Sequence, residues 1–156
     1  MYSKEKVSNN KGFSLVELII VIAIMAILAG ALAPQLIQYI DQSRKGRDVE
    51  SAQTIATAVN AALANDEAYT DSTSCYLSEC TTTATNKFMK AVKNIIGAGV
   101  DNPKPKYKSG SYKDFYIIVN SDKSFKIYAV TTTAPTSVAL AETDQLYPQV
   151  GSSFMN

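Results

Sequence analysis

The sequence predicts an α+β protein in which one long N-terminal helix, membrane-spanning in its first half and amphipathic in its second, packs on a small antiparallel β-sheet. Three observations predict it. Phe13 to Ala33 (FSLVELIIVIAIMAILAGALA) is an apolar run holding one ionisable residue, Glu17. Leu36, Ile37 and Ile40, then Val49, Ala52, Ile55, Ala56, Val59, Ala62 and Leu63, recur mostly three and four residues apart, an amphipathic helical stripe. Asp114 to Asn120 (DFYIIVN) and Ser124 to Thr132 (SFKIYAVTT) are β-branched and aromatic runs of alternating face, joined by a segment with hairpin composition.

Composition narrows the function classes. A chain of 156 residues accommodates one anchor and one small domain, and 15 Lys and Arg against 14 Asp and Glu leave a formal charge of +1. No whole-molecule field therefore favours nucleic acid or an acidic substrate. The chain has no His and two Cys, which removes the commonest general base and most zinc arrangements. No G-x-S-x-G or comparable nucleophile pattern appears, so an enzyme is not expected, and neither is a cofactor or a metal site.

The apolar run is as long as the roughly 20 residues that cross a bilayer core. Lys4, Lys6 and Lys11 precede it against a single Glu5, which keeps residues 1–12 in the cytoplasm and sends the remainder across the membrane. A secretory signal cleaved after Ala31-Leu32-Ala33 is the rival reading. Against it stand the length of the run, the carboxylate near its start, and Pro34 directly after the proposed cut.

Lys11-Gly12-Phe13-Ser14-Leu15-Val16-Glu17-Leu18, followed by an apolar helix with Pro34 near its far end, resembles the processing site of type IV pilins and type II secretion pseudopilins. The resemblance is specific over residues 11–34 and only architectural beyond them. It implies cleavage after Gly12 by a membrane prepilin peptidase, N-methylation of the new N-terminal Phe13, and a role for Glu17 in subunit assembly. It implies the organisation 1–12 leader, 13–34 transmembrane and filament-core helix, 35–65 amphipathic continuation, and 66–156 globular α+β head. The product would be a structural subunit of a type IV pilus serving adhesion, surface motility or DNA uptake. A pseudopilin of a secretion or competence system, and more distantly a membrane-tethered binding domain, are the alternatives. The partners would be other copies of the chain, the prepilin peptidase/methyltransferase, the pilus assembly machinery, and the lipid bilayer before assembly. The precursor would sit in the cytoplasmic membrane as a single-pass protein with its globular domain outside, and then move to a cell-surface filament.

Physical chemistry gives the motif reasons of its own. Gly12 lets a protease backbone approach the scissile bond closely. A carboxylate at the centre of a membrane helix costs about 2.5–3.5 kcal/mol on insertion scales, and less near an end, so Glu17 calls for a partner. The ammonium of Phe13 on a neighbouring subunit would supply one and set register; snorkelling to the interface is the bland alternative. Gly30 and Pro34 weaken the helix, as a tolerated kink or, as the resemblance implies, as a helix break within filaments.

The helix should run from Phe13 to about Asn65, roughly 80 Å at 1.5 Å per residue. Arg44, Lys45, Gly46, Arg47, Asp48 and Glu50 interrupt its stripe as a mixed-charge neck, either a solvated face or a set of inter-subunit ion pairs. Ala64 to Thr85 reads as a polar loop carrying Cys75 and Cys80, a candidate disulfide or a pair of free thiols. Asn86 to Ile96 forms a short helix ended by Gly97-Ala98-Gly99, and Asp101 to Pro105 a turn-rich connector. Lys104, Lys106, Lys108 and Lys113 interleave with Tyr107 and Tyr112, either as solvated edge lysines or as a single-strand nucleic-acid patch, which leaves nucleic acid open as a partner. For Ala134 to Asn156 a third short strand and an irregular cap are both open.

Overall fold

The structure, a computed structural model, describes residues 12–107, 111–131 and 140–155. The leader up to Lys11, Lys108, Thr132 and residues 133–139 of the last stretch lie outside the described residues. The chain divides into two compact units, one ending at Tyr39 and the other running from Ile40 to Asn156.

Helix α1 is one element, Leu15–Leu63. Every described residue up to Ile40 is exposed, including Leu36, Ile37 and Ile40, which therefore belong with the apolar run rather than with a buried stripe. Gly30 and Pro34 do not break the helix. Pro34 has no N–H, and the bond it omits is the one to the carbonyl four residues back, that of Gly30. The two residues are halves of a single local weakness of about 3 kcal/mol, which the regular turns on either side tolerate.

From Asp48 onward α1 becomes a core helix. Ala52, Ile55, Ala56, Ala58, Val59 and Ala62 are buried in one cluster with Phe115, Ile117, Ile127 and Ala129 of the sheet. Asn65 ends the run by capping α2 (Asp66–Thr70), its side-chain oxygen accepting from the N–H groups of Glu67 and Ala68 at 3.1 and 3.2 Å.

The sheet has four antiparallel strands in chain order: β1 (Cys75–Tyr76), β2 (Asp114–Val119), β3 (Phe125–Val130) and β4 (Gln145–Tyr147). Strands β2 and β3 form the expected hairpin, with Phe115 opposite Ala129 and Ile117 opposite Ile127. Lys123 takes the left-handed conformation its turn needs, at φ 65°. Phe115, Ile117, Phe125, Ile127 and Ala129 face the long helix, as their alternation predicts. The other face was not legible as a core: Tyr76, Tyr128 and Val130 are buried there, with Tyr116, Ile118 and Leu140 against them.

Helix α3 (Lys87–Gly97) begins at Asn86, whose side chain accepts from the N–H of Met89 at 2.9 Å. It buries Phe88 and Val92, and the stem of Lys93 lies beneath its C-terminal end. There the ammonium donates to the Val100 carbonyl and to Asn102 Oδ1. Ala64 to Thr85 is not a loop throughout. It contains α2, β1 and a 3-10 turn at Leu77–Glu79, because Cys75, Tyr76, Leu77 and Cys80 are buried and pair with or pack on the sheet. Near the C-terminus the short strand, β4, is the outcome of the two that were open.

Candidate processing and assembly site

Gly12 and Phe13 lie just ahead of the first turn of α1, and Phe13 is 91% exposed. Ser14 stands at the N-cap position, and its backbone N–H donates to Glu17 Oε2 at 2.9 Å. This is the glutamate half of an S-x-x-E capping box, in which the third helical residue reaches back over the helix end. Glu17 therefore has a partner within its own chain. The donor at a helix N-terminus also carries part of the positive end of the helix dipole. Sequence reasoning offered Glu17 the Phe13 ammonium, foremost that of a neighbouring subunit, and missed the Ser14 amide, although Ser14-Leu15-Val16-Glu17 spells the capping box.

The carboxylate thus sits over the residue that follows Phe13. Cutting the Gly12–Phe13 bond would release an ammonium one residue from the amide that Glu17 already holds. In chemical terms the site is a peptide bond on an exposed segment, a capping carboxylate, and a helix whose side chains from Phe13 to Ile40 are all exposed. A helix apolar on every face, with nothing among the described residues covering it, is suited to lipid or to other helices. By length and composition α1 can cross a membrane.

Cys75 and Cys80 are both buried and unbonded, with their sulfur atoms 3.8 Å apart. The Cys75 thiol is pushed up from its ordinary range by its hydrogen bond to Cys80 and by burial, which disfavours the thiolate. The candidate disulfide is therefore two adjacent thiols in this structure, on a strand and the turn after it rather than in a solvated loop.

The charged neck hides one residue that sequence reasoning placed wrongly. Asp48 is 0% exposed. Its two carboxylate oxygens accept from the backbone N–H groups of Lys106 and Tyr107 at 2.7 and 2.8 Å, pinning the connector to α1. Burial pushes the Asp48 carboxyl above its usual range, against the pull of those two N–H groups. The surrounding run of charges masked this position; its place on the Ala52-Ile55-Val59 face was the available signal.

Among the described residues no group of three or more His, Cys, Asp or Glu could hold a metal ion. No curated protein and no solved structure matches the chain. Residues 7–33 match the family model described as the prokaryotic N-terminal methylation motif, a stretch that contains Gly12, Phe13, Glu17 and Gly30. Over those residues the chain carries the signature of type IV pilin-like prepilins, set at the start of an α+β fold whose long helix packs on a four-stranded antiparallel sheet.

Proposed function

We propose that this chain is a structural subunit of a type IV pilus: it is held in the cytoplasmic membrane by α1, cleaved after Gly12, methylated on Phe13, and assembled through its apolar helix. The observation that carries the proposal is the coincidence of the methylation motif with a helix left exposed over every described residue to Ile40. The orientation expected from Lys4, Lys6 and Lys11 counts the leader alone; with Arg44, Lys45 and Arg47 after the run also counted, the two flanks are balanced. The motif supports the orientation instead, because the peptidase that reads it acts on the cytoplasmic side.

In assembly, the Phe13 ammonium of an incoming subunit would meet Glu17 of a neighbour in a low-dielectric core, where an unpaired charge costs several kcal/mol. Gly30 and Pro34 mark where the helix yields when packed among copies. Mass spectrometry of assembled material should give N-methylated Phe13 as the first residue, and a terminus at Pro34 or an uncut chain would contradict this function. Two variants separate the roles of Glu17. Glu17→Gln retains a capping acceptor and removes the charge, whereas Glu17→Ala removes both. Both variants should insert and be cleaved normally, and both should fail to form filaments. Filaments at wild-type yield from Glu17→Gln would reduce Glu17 to a helix cap.

A further inference from the structure

Of the 15 Lys and Arg in the chain, five line one open groove of about 460 Å³ in the globular unit: Arg44 and Arg47 from α1, Lys104 and Lys106 from the connector, and Lys113 ahead of β2. All five are exposed, and among the described residues no Asp or Glu lines the groove. The arrangement is built rather than incidental. Asp48 holds the connector at Lys106 and Tyr107 from behind. Tyr112, which also lines the groove, is fixed by its ring against Phe154 and by donating its hydroxyl to Asp144 at 2.7 Å. Lys45, which lies between the two arginines in sequence, is turned away to the Met155 carbonyl at 2.9 Å and over the Tyr107 ring. The nearest ion pair is a weak one, Arg44 to Asp41 at 3.8 Å.

Lys104 and Lys106 also border an adjoining groove that holds Asp101 and Asp114, and Asp48 lies behind Lys106; the charged side chains of this groove itself are all positive, which favours an anion within it. Guanidinium forks and ammonium groups together suit the several oxygens of a phosphate. A single-stranded nucleic acid would also want rings on which to stack its bases, but Tyr112 is buried and Tyr107 is packed against Phe154. Ile40 is the last of the exposed large apolar residues of α1, and Arg44 and Arg47 follow it by four and seven residues. Along a helix that is a rise of about 6 and 10 Å. If the apolar run lies in the bilayer, as the proposed function requires, these side chains reach the headgroup layer.

We propose that the groove binds the phosphate of an anionic phospholipid on the outer face of the membrane, docking the globular unit there until the subunit is drawn into a filament.

The test uses the full chain in neutral detergent micelles, titrated separately with short-chain phosphatidylglycerol, short-chain phosphatidylcholine, inorganic phosphate and a single-stranded oligonucleotide. Phosphatidylglycerol should bind saturably and more weakly as salt rises, and phosphatidylcholine should not bind. Arg47→Gln combined with Lys113→Gln should weaken phosphatidylglycerol about tenfold or more. Arg44→Gln with Lys104→Gln should do the same, so that loss of one pair's fold, checked by circular dichroism, leaves a second reading. Lys90→Gln with Lys126→Gln, an equal charge loss outside the groove, should change affinity less than about twofold. Equal weakening by all three pairs overturns the site, as does inorganic phosphate binding as tightly as the lipid, or the oligonucleotide binding more tightly. Alkaline extraction of membranes is read in parallel. A chain that resists extraction yet ignores phosphatidylglycerol defeats the groove alone, whereas a chain released as soluble protein defeats the membrane reading beneath it.

Discussion

Among the described residues Asp48 forms no salt bridge; its buried carboxylate is held by two backbone N–H groups, with the Lys106 charge acting on it in the same sense. Its raised pKa means that burial outweighs those donors, and the sign for stability follows from it. The contribution is complete below the unfolded value of about 3.9 and is lost as pH rises through the raised folded value. Asp48→Ala should therefore remove that loss from the stability-against-pH curve of the fragment 43–156. At neutral pH it should still destabilise by about 2–4 kcal/mol, because two buried N–H groups lose their acceptor. Urea denaturation at several pH values measures both; a neutral-pH change below about 0.5 kcal/mol would show that water replaces the carboxylate. The same scale shows what a sequence displays. The methylation motif over residues 7–33 was legible because its residues are contiguous. The partner of Asp48 was not, because its two donors come from positions nearly sixty residues away along the chain.

Elements were legible in proportion to their length. Helix α3 and strands β2 and β3 appear within a residue or two of their expected ends, since each shows its own periodicity and Asn86 marks a cap. Strands β1 and β4 hold two and three residues, too short to display alternation, and exist because neighbouring strands offer them partners. The return after β4 illustrates the dependence. The N–H of Gly151 donates to the Gln145 carbonyl at 2.7 Å, and that of Ser153 to the Thr143 carbonyl at 3.1 Å, folding the chain back on itself. A Cβ at position 151 would overlap the backbone carbonyls of Glu142 and Thr143, which cannot move without releasing β4. Gly151→Ala should cost about 1–3 kcal/mol in the fragment 43–156. Gly99→Ala, where nothing stands within 4 Å of the added carbon, should stay within about 0.5 kcal/mol. Similar urea midpoints for the two variants would mean that the β4 return is loosely held.

At the scale of the whole molecule, burial is divided along the chain. Among the described residues every buried one lies at Asp48 or beyond, and both hydrophobic clusters draw only on residues of the second unit. Every described residue of the first unit is exposed, so among the described residues nothing buries its apolar surface. A fragment beginning at Ser43 keeps the Asp48 anchor, the core face of α1 and the whole sheet, and discards the exposed apolar side chains from Phe13 to Ile40. It should therefore fold by itself as a soluble monomer, because the remaining part of α1 already has its sheet to pack on. The full chain should need detergent or lipid, since an exposed apolar run of that length is otherwise covered by association. Gel filtration should place the fragment at monomer size, and circular dichroism should show helix and strand lost in one cooperative transition. An aggregated or unfolded fragment would mean that the apolar half of the helix stabilises the sheet, and that folding of the globular unit waits on the membrane or on neighbouring copies.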